Sequence, residues 1–278
     1  MPSSHLFREV AAGGGSTALV SALLNPIDVV KTRRQLYAYR HASAAQIARQ
    51  LHAEGGAAAL WSPGLSATVA RELLYSGVTK GLYPHVRAAL AGEREPTLAQ
   101  RAAAASATGA AGSLCANAVD LVKIRQFAAP ARYASLGAAL AHIARHEGVR
   151  ALLGRGASAS APRGAAIAVG EVTTYDAVKA RLRRSHADGV LLHIGTSLVT
   201  GLVATTVAAP FDLIKSRVMA SDAAADNFAV VLARLLRQEG PLALFNGWLP
   251  TYLRLGPHAV LTFPLYEAMR RYVGLDYL

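Results

Sequence analysis

The sequence has little of what holds most water-soluble domains together or keeps them in solution. It contains one cysteine, Cys115, so an intrachain disulfide is excluded, and its apolar surroundings favour a packing role. Charged residues make up only 17% of the chain and hydrophobic residues 53%, and the mean hydropathy is positive. This balance argues against an aqueous protein and favours burial in a membrane.

Recognisable catalytic and cofactor motifs are also lacking. The sequence has no cluster of metal ligands, no nucleotide-binding loop and no nucleophile motif. We therefore expect no catalytic residues, no metal and no cofactor, and we do not favour an enzyme. The first ten residues carry little charge and no hydrophobic core ahead of a cleavage site, so we also expect no removable signal peptide.

Acidic residues are scarce: there are 17 Asp and Glu against 29 Lys and Arg, which gives a formal net charge of +12. A basic DNA-packaging or membrane-scaffold protein is one explanation of that excess. However, the basic residues cluster at the ends of apolar runs, form no contiguous tract and match no nucleic-acid-binding fingerprint. The favoured partners are therefore anionic lipid headgroups and anionic solutes, not nucleic acid.

Long apolar runs, in contrast, are abundant. Three of them contain one aspartate and no other acidic or basic residue apart from histidine: residues 10–30, 102–122 and 190–214. Each run has 21 residues or more, and about 20 residues of helix cross the hydrocarbon of a bilayer. These runs predict three membrane-spanning helices.

The ends of these runs repeat at a fixed interval. An acidic residue and then two bases follow a proline, or the alanine in its place, in stretches that begin at Pro26, Ala118 and Pro210. The interval is 92 residues both times (118 − 26 and 210 − 118). Three copies in phase predict a threefold internal repeat, with repeats at residues 1–92, 93–185 and 186–278. Pro26 and Pro210 predict kinked helices, whereas Ala118 predicts a straighter one.

Each repeat continues in the same way. A short amphipathic segment ends at a Glu-Gly pair, at residues 54–55, 147–148 and 239–240, where glycine is typical of a helix stop. A second, less apolar helix carries an arginine seven residues after a glycine and a tyrosine twelve residues later: Gly64, Arg71 and Tyr83; Gly156, Arg163 and Tyr175; Gly247, Arg254 and Tyr266. The phase of the repeat predicts six spans in three hairpins, with the amphipathic helices in the membrane interface.

With these features the sequence resembles the mitochondrial carrier family over essentially its whole length. The family signature is Pro-x-Asp/Glu-x-x-Lys/Arg-x-Lys/Arg, then an acidic-Gly pair, an aromatic residue and a glycine; Trp61 with Gly64 and Phe245 with Gly247 fit the last element. The resemblance implies an all-α membrane protein of six transmembrane helices in three pseudo-threefold repeats, each with a short amphipathic interfacial helix. It also implies a multi-pass, monomeric protein of the mitochondrial inner membrane that carries a small anionic metabolite and contacts membrane lipids, cardiolipin among them.

Within the family, residues 254–263 and the stretch from Arg163 to Asp176 are similar to the dicarboxylate and 2-oxoglutarate carriers and to the uncoupling proteins. This similarity implies exchange of small organic anions, such as dicarboxylates or oxoacids, by alternating access. A proton leak of the uncoupling-protein kind, with Glu171 or His258 taking part, is the alternative.

Three arginines are the candidate binding residues. Arg71, Arg163 and Arg254 lie at one level of three related helices, and a charge at membrane depth normally faces a watery cavity or a partner. We interpret them as a triad that binds a small dianion through bidentate bonds. The alternative is structural pairing with neighbouring helices or snorkelling of the side chains to the lipid headgroups. Further residues expected to line the cavity are Tyr75, Thr79, Glu171 and His258. A carboxylate there, as at Glu171, would lower the positive charge of the site and favour a proton, an amino-bearing substrate or a smaller one.

The resemblance also implies two charged gates. At the matrix end, three aspartates would pair with three lysines: Asp28, Asp120 and Asp212 with Lys31, Lys123 and Lys215. Gln35 would brace that ring, whereas Phe127 and Met219 occupy the other two brace positions. The cytoplasmic gate would comprise Arg87, Asp176, Lys179, Glu267 and Arg270, with Pro84 in place of a third acid. An exposed ion pair contributes about 0–1 kcal/mol, so such rings can open again.

Overall fold

The computed structural model describes residues 2–92, 96–160, 163, 190–223 and 226–274, which form helices and turns without a strand. The first repeat contains α1 (Pro2–Leu23), α2 (Asn25–Gln35), α3 (Ala44–Trp61) and α4 (Leu65–Ala91). The second contains α5 (Leu98–Cys115), α6 (Asn117–Ala128), α7 (Leu136–His146) and α8 (Val149–Gly154), and the third contains α9 (Val190–Ala220), α10 (Phe228–Gln238) and α11 (Trp248–Tyr272). Short 3₁₀ turns lie at Tyr37–Tyr39, Pro130–Arg132 and Pro241–Phe245. Within the described part, no helix has both the length and the apolar character needed to cross a membrane.

The apolar helices of the first two repeats are interrupted just before a buried asparagine. Leu24 separates α1 from α2, and Ala116 separates α5 from α6. The asparagine Nδ2 then donates to two backbone carbonyls that lie just before the helix with the candidate binding arginine. Asn25 donates to Trp61 (2.7 Å) and Pro63 (3.0 Å), and Asn117 to Leu153 (2.8 Å) and Arg155 (3.0 Å). A buried carboxamide has to find such partners, so these bonds tie the interruption to a distant turn of the same repeat.

The third repeat lacks this interruption. Ala209 stands where the other repeats have an asparagine, and α9 continues through Pro210. The second repeat is interrupted at Ala116 without a proline, whereas α9 is not interrupted although it contains Pro210. The straighter course predicted for the helix at Ala118 stays a prediction. The interruption accompanies the asparagine rather than the proline, and we attribute it to the hydrogen bonds of Asn117 and its counterpart in the first repeat.

Helices α3, α7 and α10 confirm the amphipathic helices predicted from the sequence. Each begins after a residue whose side chain accepts a hydrogen bond from a backbone N–H of the first turn: Ser43, Ser135 and Asn227. Such a cap satisfies one of the free N–H groups at a helix start. The buried residues of each helix are four apart: Ile47 and Leu51, Ala139 and Ile143, and Val231 and Leu235. Each helix thus turns one apolar stripe towards the preceding helix of its own repeat.

In each repeat, the glycine seven residues before the candidate binding arginine makes a close contact with another repeat. These glycines are Gly64, Gly156 and Gly247. All three glycines have a positive φ, between +60° and +89°, which L side chains rarely adopt. A Cβ would lie 2.7 Å from Phe127 at Gly64, 2.6 Å from Met219 at Gly156 and 2.8 Å from Gln35 at Gly247. The contacted side chain comes from the second, third and first repeat in turn, so the three contacts close a cycle around the molecule.

We expect Gly64→Ala to destabilise the protein more than Gly156→Ala, which serves as the matched control. Both substitutions put an alanine at positive φ, at a cost of about 1–3 kcal/mol. At Gly64 the new methyl also meets the Phe127 ring and lies 3.3 Å from the Lys123 carbonyl oxygen, whereas at Gly156 it meets the side chain of Met219, which is buried but unbranched and more adaptable than a ring. Overpacking against rigid groups adds about 1–3 kcal/mol. The apparent unfolding temperature in detergent should therefore fall further for G64A, and equal shifts would contradict this account.

Candidate functional site

Three aspartates and three lysines pair in a cycle that joins all three repeats. The Nζ–Oδ2 distances are 3.0 Å for Lys31–Asp212, 3.1 Å for Lys123–Asp28 and 2.7 Å for Lys215–Asp120. We call these six residues the acid–lysine ring. The aspartate side chains are only 5–9% exposed. Each carboxylate is therefore shielded from water and depends on its cationic partners. The predicted partners do meet, and their role as a gate stays a prediction.

The three candidate binding arginines also reach the ring. Arg71 Nε lies 3.3 Å from Asp120 Oδ1, and Arg254 Nη1 donates to Asp28 Oδ1 at 2.9 Å. Arg163 Nε donates to Asp212 Oδ1. Every ring aspartate is thus held by a lysine from one neighbouring repeat and an arginine from the other. The three arginines contact equivalent aspartates of the ring, and structural pairing, the alternative considered from the sequence, is present alongside any binding role.

The residues around Arg71 are placed by helices α4 and α5. The Arg71 guanidinium carbon lies 4.5 Å from the centroid of the Tyr75 ring, within range of a cation–π interaction. Thr79 lies against α5, where a Cβ on Gly112 would be 2.5 Å from Thr79 Oγ1. That buried oxygen has no hydrogen-bond partner among the described residues. Tyr75 therefore stands beside the arginine, whereas Thr79 packs at the interface between two helices.

The remaining predicted cavity residues are only partly described. His258 is half-buried on α11, and its Nδ1 lies 3.4 Å from Thr262 Oγ1. Glu171, predicted to line the cavity, lies outside the described residues.

The predicted cytoplasmic gate cannot be assembled from the described residues. Asp176 and Lys179 lie outside them, and so do the side chains of Glu267 and Arg270 on α11. Arg87 is exposed on α4. This gate stays a prediction.

Sequence reasoning missed Glu72, a second charged residue beside Arg71. Arg71 Nη1 donates to Glu72 Oε1 at 2.9 Å, and the Glu72 side chain is 10% exposed. The signal was available: two adjacent charges in a helix of a hydrophobic protein require partners or a cavity. The equivalent positions of the other repeats are Gly164 and Leu255, so this carboxylate is specific to the first repeat.

A second set of arginines, Arg33, Arg125 and Arg217, also forms a cycle. Their Nε atoms donate to backbone carbonyls of the next repeat: Arg33 to Phe127 (2.9 Å), Arg125 to Met219 (3.2 Å) and Arg217 to Gln35 (2.8 Å). Arg125 and Arg217 are nearly inaccessible to solvent. We call these three residues the arginine layer, and it fastens the same end of the bundle as the ring.

In the part of the chain that the structure describes, carboxylates anchor the arginine layer in two repeats of three. Arg217 forms a bidentate pair with Glu239, at 2.7 and 2.9 Å, and Arg125 forms one with Glu147. Arg33 instead donates to the Tyr39 hydroxyl at 3.1 Å. The acid of the Glu-Gly pair follows its arginine by 22 residues in the last two repeats (147 − 125 and 239 − 217) but by 21 in the first (54 − 33). The shorter spacing in the first repeat indicates, from the sequence alone, that Glu54 does not occupy the position of Glu147 and Glu239.

The Gln35 side chain makes a hydrogen bond with a residue adjacent to the acid–lysine ring, not with a member of the ring. Its Oε1 accepts a hydrogen bond from Ser216 Oγ at 2.7 Å, next to Lys215 in the chain. Lys123 Nζ lies 5.3 Å from the centroid of the Phe127 ring. Phe127, interpreted from the sequence as a missing brace, therefore supports a ring lysine by its aromatic face.

Comparison with known proteins agrees with the threefold organisation. The family model described as "Mitochondrial carrier protein" matches residues 2–94, 94–186 and 187–276. The mitochondrial dicarboxylate transporter of Saccharomyces cerevisiae is 30% identical over 95% of this chain and 92% of its own. Mitochondrial uncoupling protein 1 of Arabidopsis thaliana is 33% identical over 79% of this chain and 75% of its own. The mitochondrial citrate transporter F of Aspergillus niger is 30% identical over 93% and 87%.

We expect Glu147→Gln to destabilise the protein at neutral pH. The hydrogen bonds from Arg125 lower the pKa of the Glu147 carboxyl below its ordinary value. A carboxyl of lowered pKa stabilises the folded state above its unfolded pKa and loses that contribution as the pH falls through the folded value. Removing the charge takes this carboxylate from both Arg125 and Arg155, which lies 2.6 Å from its Oε2, and leaves Arg125 with the more distant Asp222 at 3.6 Å. The loss should cost about 2–3 kcal/mol. The unfolding temperature in detergent should therefore drop near pH 7, and the difference from wild type should shrink below about pH 4.

Glu54→Gln is the control for that measurement. Glu54 is exposed, and its Oε1 accepts a hydrogen bond from Gln50 at 2.8 Å. This variant loses the same charge without a buried arginine partner, so its unfolding temperature should follow wild type at every pH. A loss as large as that of E147Q would show that net charge, not the Arg125 pair, is responsible.

Proposed function

The chain belongs to the mitochondrial carrier family, and we propose that it exchanges small organic anions, such as dicarboxylates or oxoacids, across the mitochondrial inner membrane by alternating access. The names of the yeast and Aspergillus relatives support a carboxylate substrate. The proposal includes a multi-pass, monomeric protein, because one chain supplies all three arginines, in contact with membrane lipids such as cardiolipin.

The observation that carries the proposal is the contact of Arg71, Arg163 and Arg254 with the ring aspartates. An arginine fork binds a substrate carboxylate as it binds an aspartate. An anion that reaches these arginines therefore competes with the ring for the same guanidinium groups. Each aspartate that loses its arginine keeps only a lysine, so binding of the solute lowers the cost of opening the ring, proposed to close the matrix end.

We expect Arg163→Ala and Arg254→Ala each to reduce anion exchange by about tenfold or more, which corresponds to about 1.4 kcal/mol and is within the range of a lost charge-assisted hydrogen bond. The measurement is counterflow in liposomes across dicarboxylates, oxoacids, phosphate, amino acids and nucleotides. Arg49→Ala is the control, because Arg49 is exposed on α3 and bonds its own helix at Ala45. Unimpaired uptake of the best substrate by R163A or R254A would refute the assignment of the site.

A proton leak is the second candidate, favoured by the similarity to the Arabidopsis uncoupling protein. The same liposomes separate the two functions. Fatty-acid-induced proton conductance that purine nucleotides inhibit, without counterflow of any organic anion, would replace the exchange proposal by the leak.

A further inference from the structure

Glu72 gives Arg71 a different environment from that of the two equivalent arginines. Arg71 lies between two carboxylates, Glu72 at 2.9 Å and Asp120 at 3.3 Å. Among the described residues, the ion pairs of Arg163 and Arg254 are each with a single carboxylate, that of a ring aspartate. Within the described part of the chain, the guanidinium of Arg71 is therefore the one with the most carboxylate partners.

The Glu72–Arg71 pair is not an ordinary surface ion pair. The Glu72 side chain is 10% exposed and that of Arg71 is 19% exposed. Water screens such a pair poorly, so the carboxylate affects any other charge that approaches Arg71. An anion that is to bind Arg71 must share this guanidinium with Glu72 or displace it.

The charges of the site can be counted over the described residues. The three lysines of the acid–lysine ring balance its three aspartates. The three arginines then contribute three positive charges, and Glu72 removes one of them. Over the described residues, which do not include Glu171, two positive charges remain, and this number matches a dianion.

We propose that Glu72 is a specificity-determining residue that sets the charge of the accepted anion and makes the site favour a dianion over a trianion. This inference rests on the proposed function. A dianion can be held by Arg163 and Arg254, whereas a trianion also needs Arg71, which Glu72 occupies. The relatives named for dicarboxylate and for citrate transport are both 30% identical to this chain, so overall identity does not decide between these charges.

The test is the exchange of succinate and of citrate by the full chain in liposomes at about pH 7.5, where the two acids carry about two and three negative charges. Glu72→Gln keeps the size and an oxygen acceptor for Arg71 but removes the charge. We expect wild type to prefer succinate, and E72Q to lower the citrate KM relative to the succinate KM by about tenfold. The kcat for succinate should stay within about twofold, because the introduced carboxamide still positions Arg71.

Two control variants separate charge from packing. Glu72→Asp keeps the charge and should keep the wild-type KM ratio. Glu54→Gln removes an exposed charge from α3 and should also keep it. A shift in E72D or E54Q as large as in E72Q would overturn the proposal, as would an equal loss of kcat for both acids in E72Q.

The wild type gives an outcome that does not depend on how well the variants fold. A wild type that exchanges both acids and prefers citrate would overturn the role of Glu72 but leave the proposed function standing. A wild type that exchanges neither acid, nor any other organic anion, would overturn the proposed function and this inference with it. A clear preference for succinate, together with the E72Q shift, would support both.

Discussion

The structure depends on three buried aspartates that no single repeat can neutralise. A shielded carboxylate is costly unless it is paired and hydrogen-bonded. Asp28 of the first repeat finds its lysine, Lys123, in the second and its arginine, Arg254, in the third. The same relation holds for the other two aspartates in cyclic order. Closure of the three repeats around one axis is therefore a requirement of charge as well as of packing.

Two layers of contacts hold that closure, and they respond differently to a solute. In the acid–lysine ring each arginine binds a carboxylate, and a carboxylate on a substrate can take its place. In the arginine layer Arg33, Arg125 and Arg217 donate to backbone carbonyls, which a dissolved anion cannot replace without separating the repeats. In the proposed mechanism the ring therefore senses the solute, and the arginine layer sets how much free energy the solute must supply.

The sequence was sufficient for the family and the fold class, an all-α membrane protein of three repeats, which the family match confirms. Spacing was enough there, because a repeat of 92 residues aligns the same chemistry three times. The partners of the ring followed for the same reason. The sequence did not reveal that Asn117, not a proline, accompanies a helix interruption, because its partners are carbonyls of a distant turn.

Packing contacts between repeats were harder to predict than the ion pairs of the ring. Phe127 and Met219 were interpreted as absent polar braces, yet they pack on Gly64 and Gly156 in the positions where Gln35 packs on the third glycine. A search for polar partners misses a contact that depends on shape. The fit depends on a side chain approaching the glycine closely and on a positive φ, and neither is visible until the backbone is placed.

The departures from threefold symmetry carry information that the symmetric residues cannot. In the proposed mechanism a symmetric set of lysines, aspartates and arginines opens and closes, but it presents the same groups in three directions, whereas the proposed substrate, a small carboxylic acid, has no threefold symmetry. Selectivity must therefore come from positions where the repeats differ.

Glu72 is such a position, because Gly164 and Leu255 stand at its counterparts, and it lies directly beside one of the three arginines. The loss of the acidic anchor at Arg33 is another, but it lies in the layer that holds the closure. The first repeat thus differs from the others at two places: beside one of the three candidate binding arginines, and in the layer that joins the repeats. In the proposed mechanism Arg163 and Arg254 hold a dianion, so the first repeat acts on the solute through the charge of Glu72 and not through Arg71.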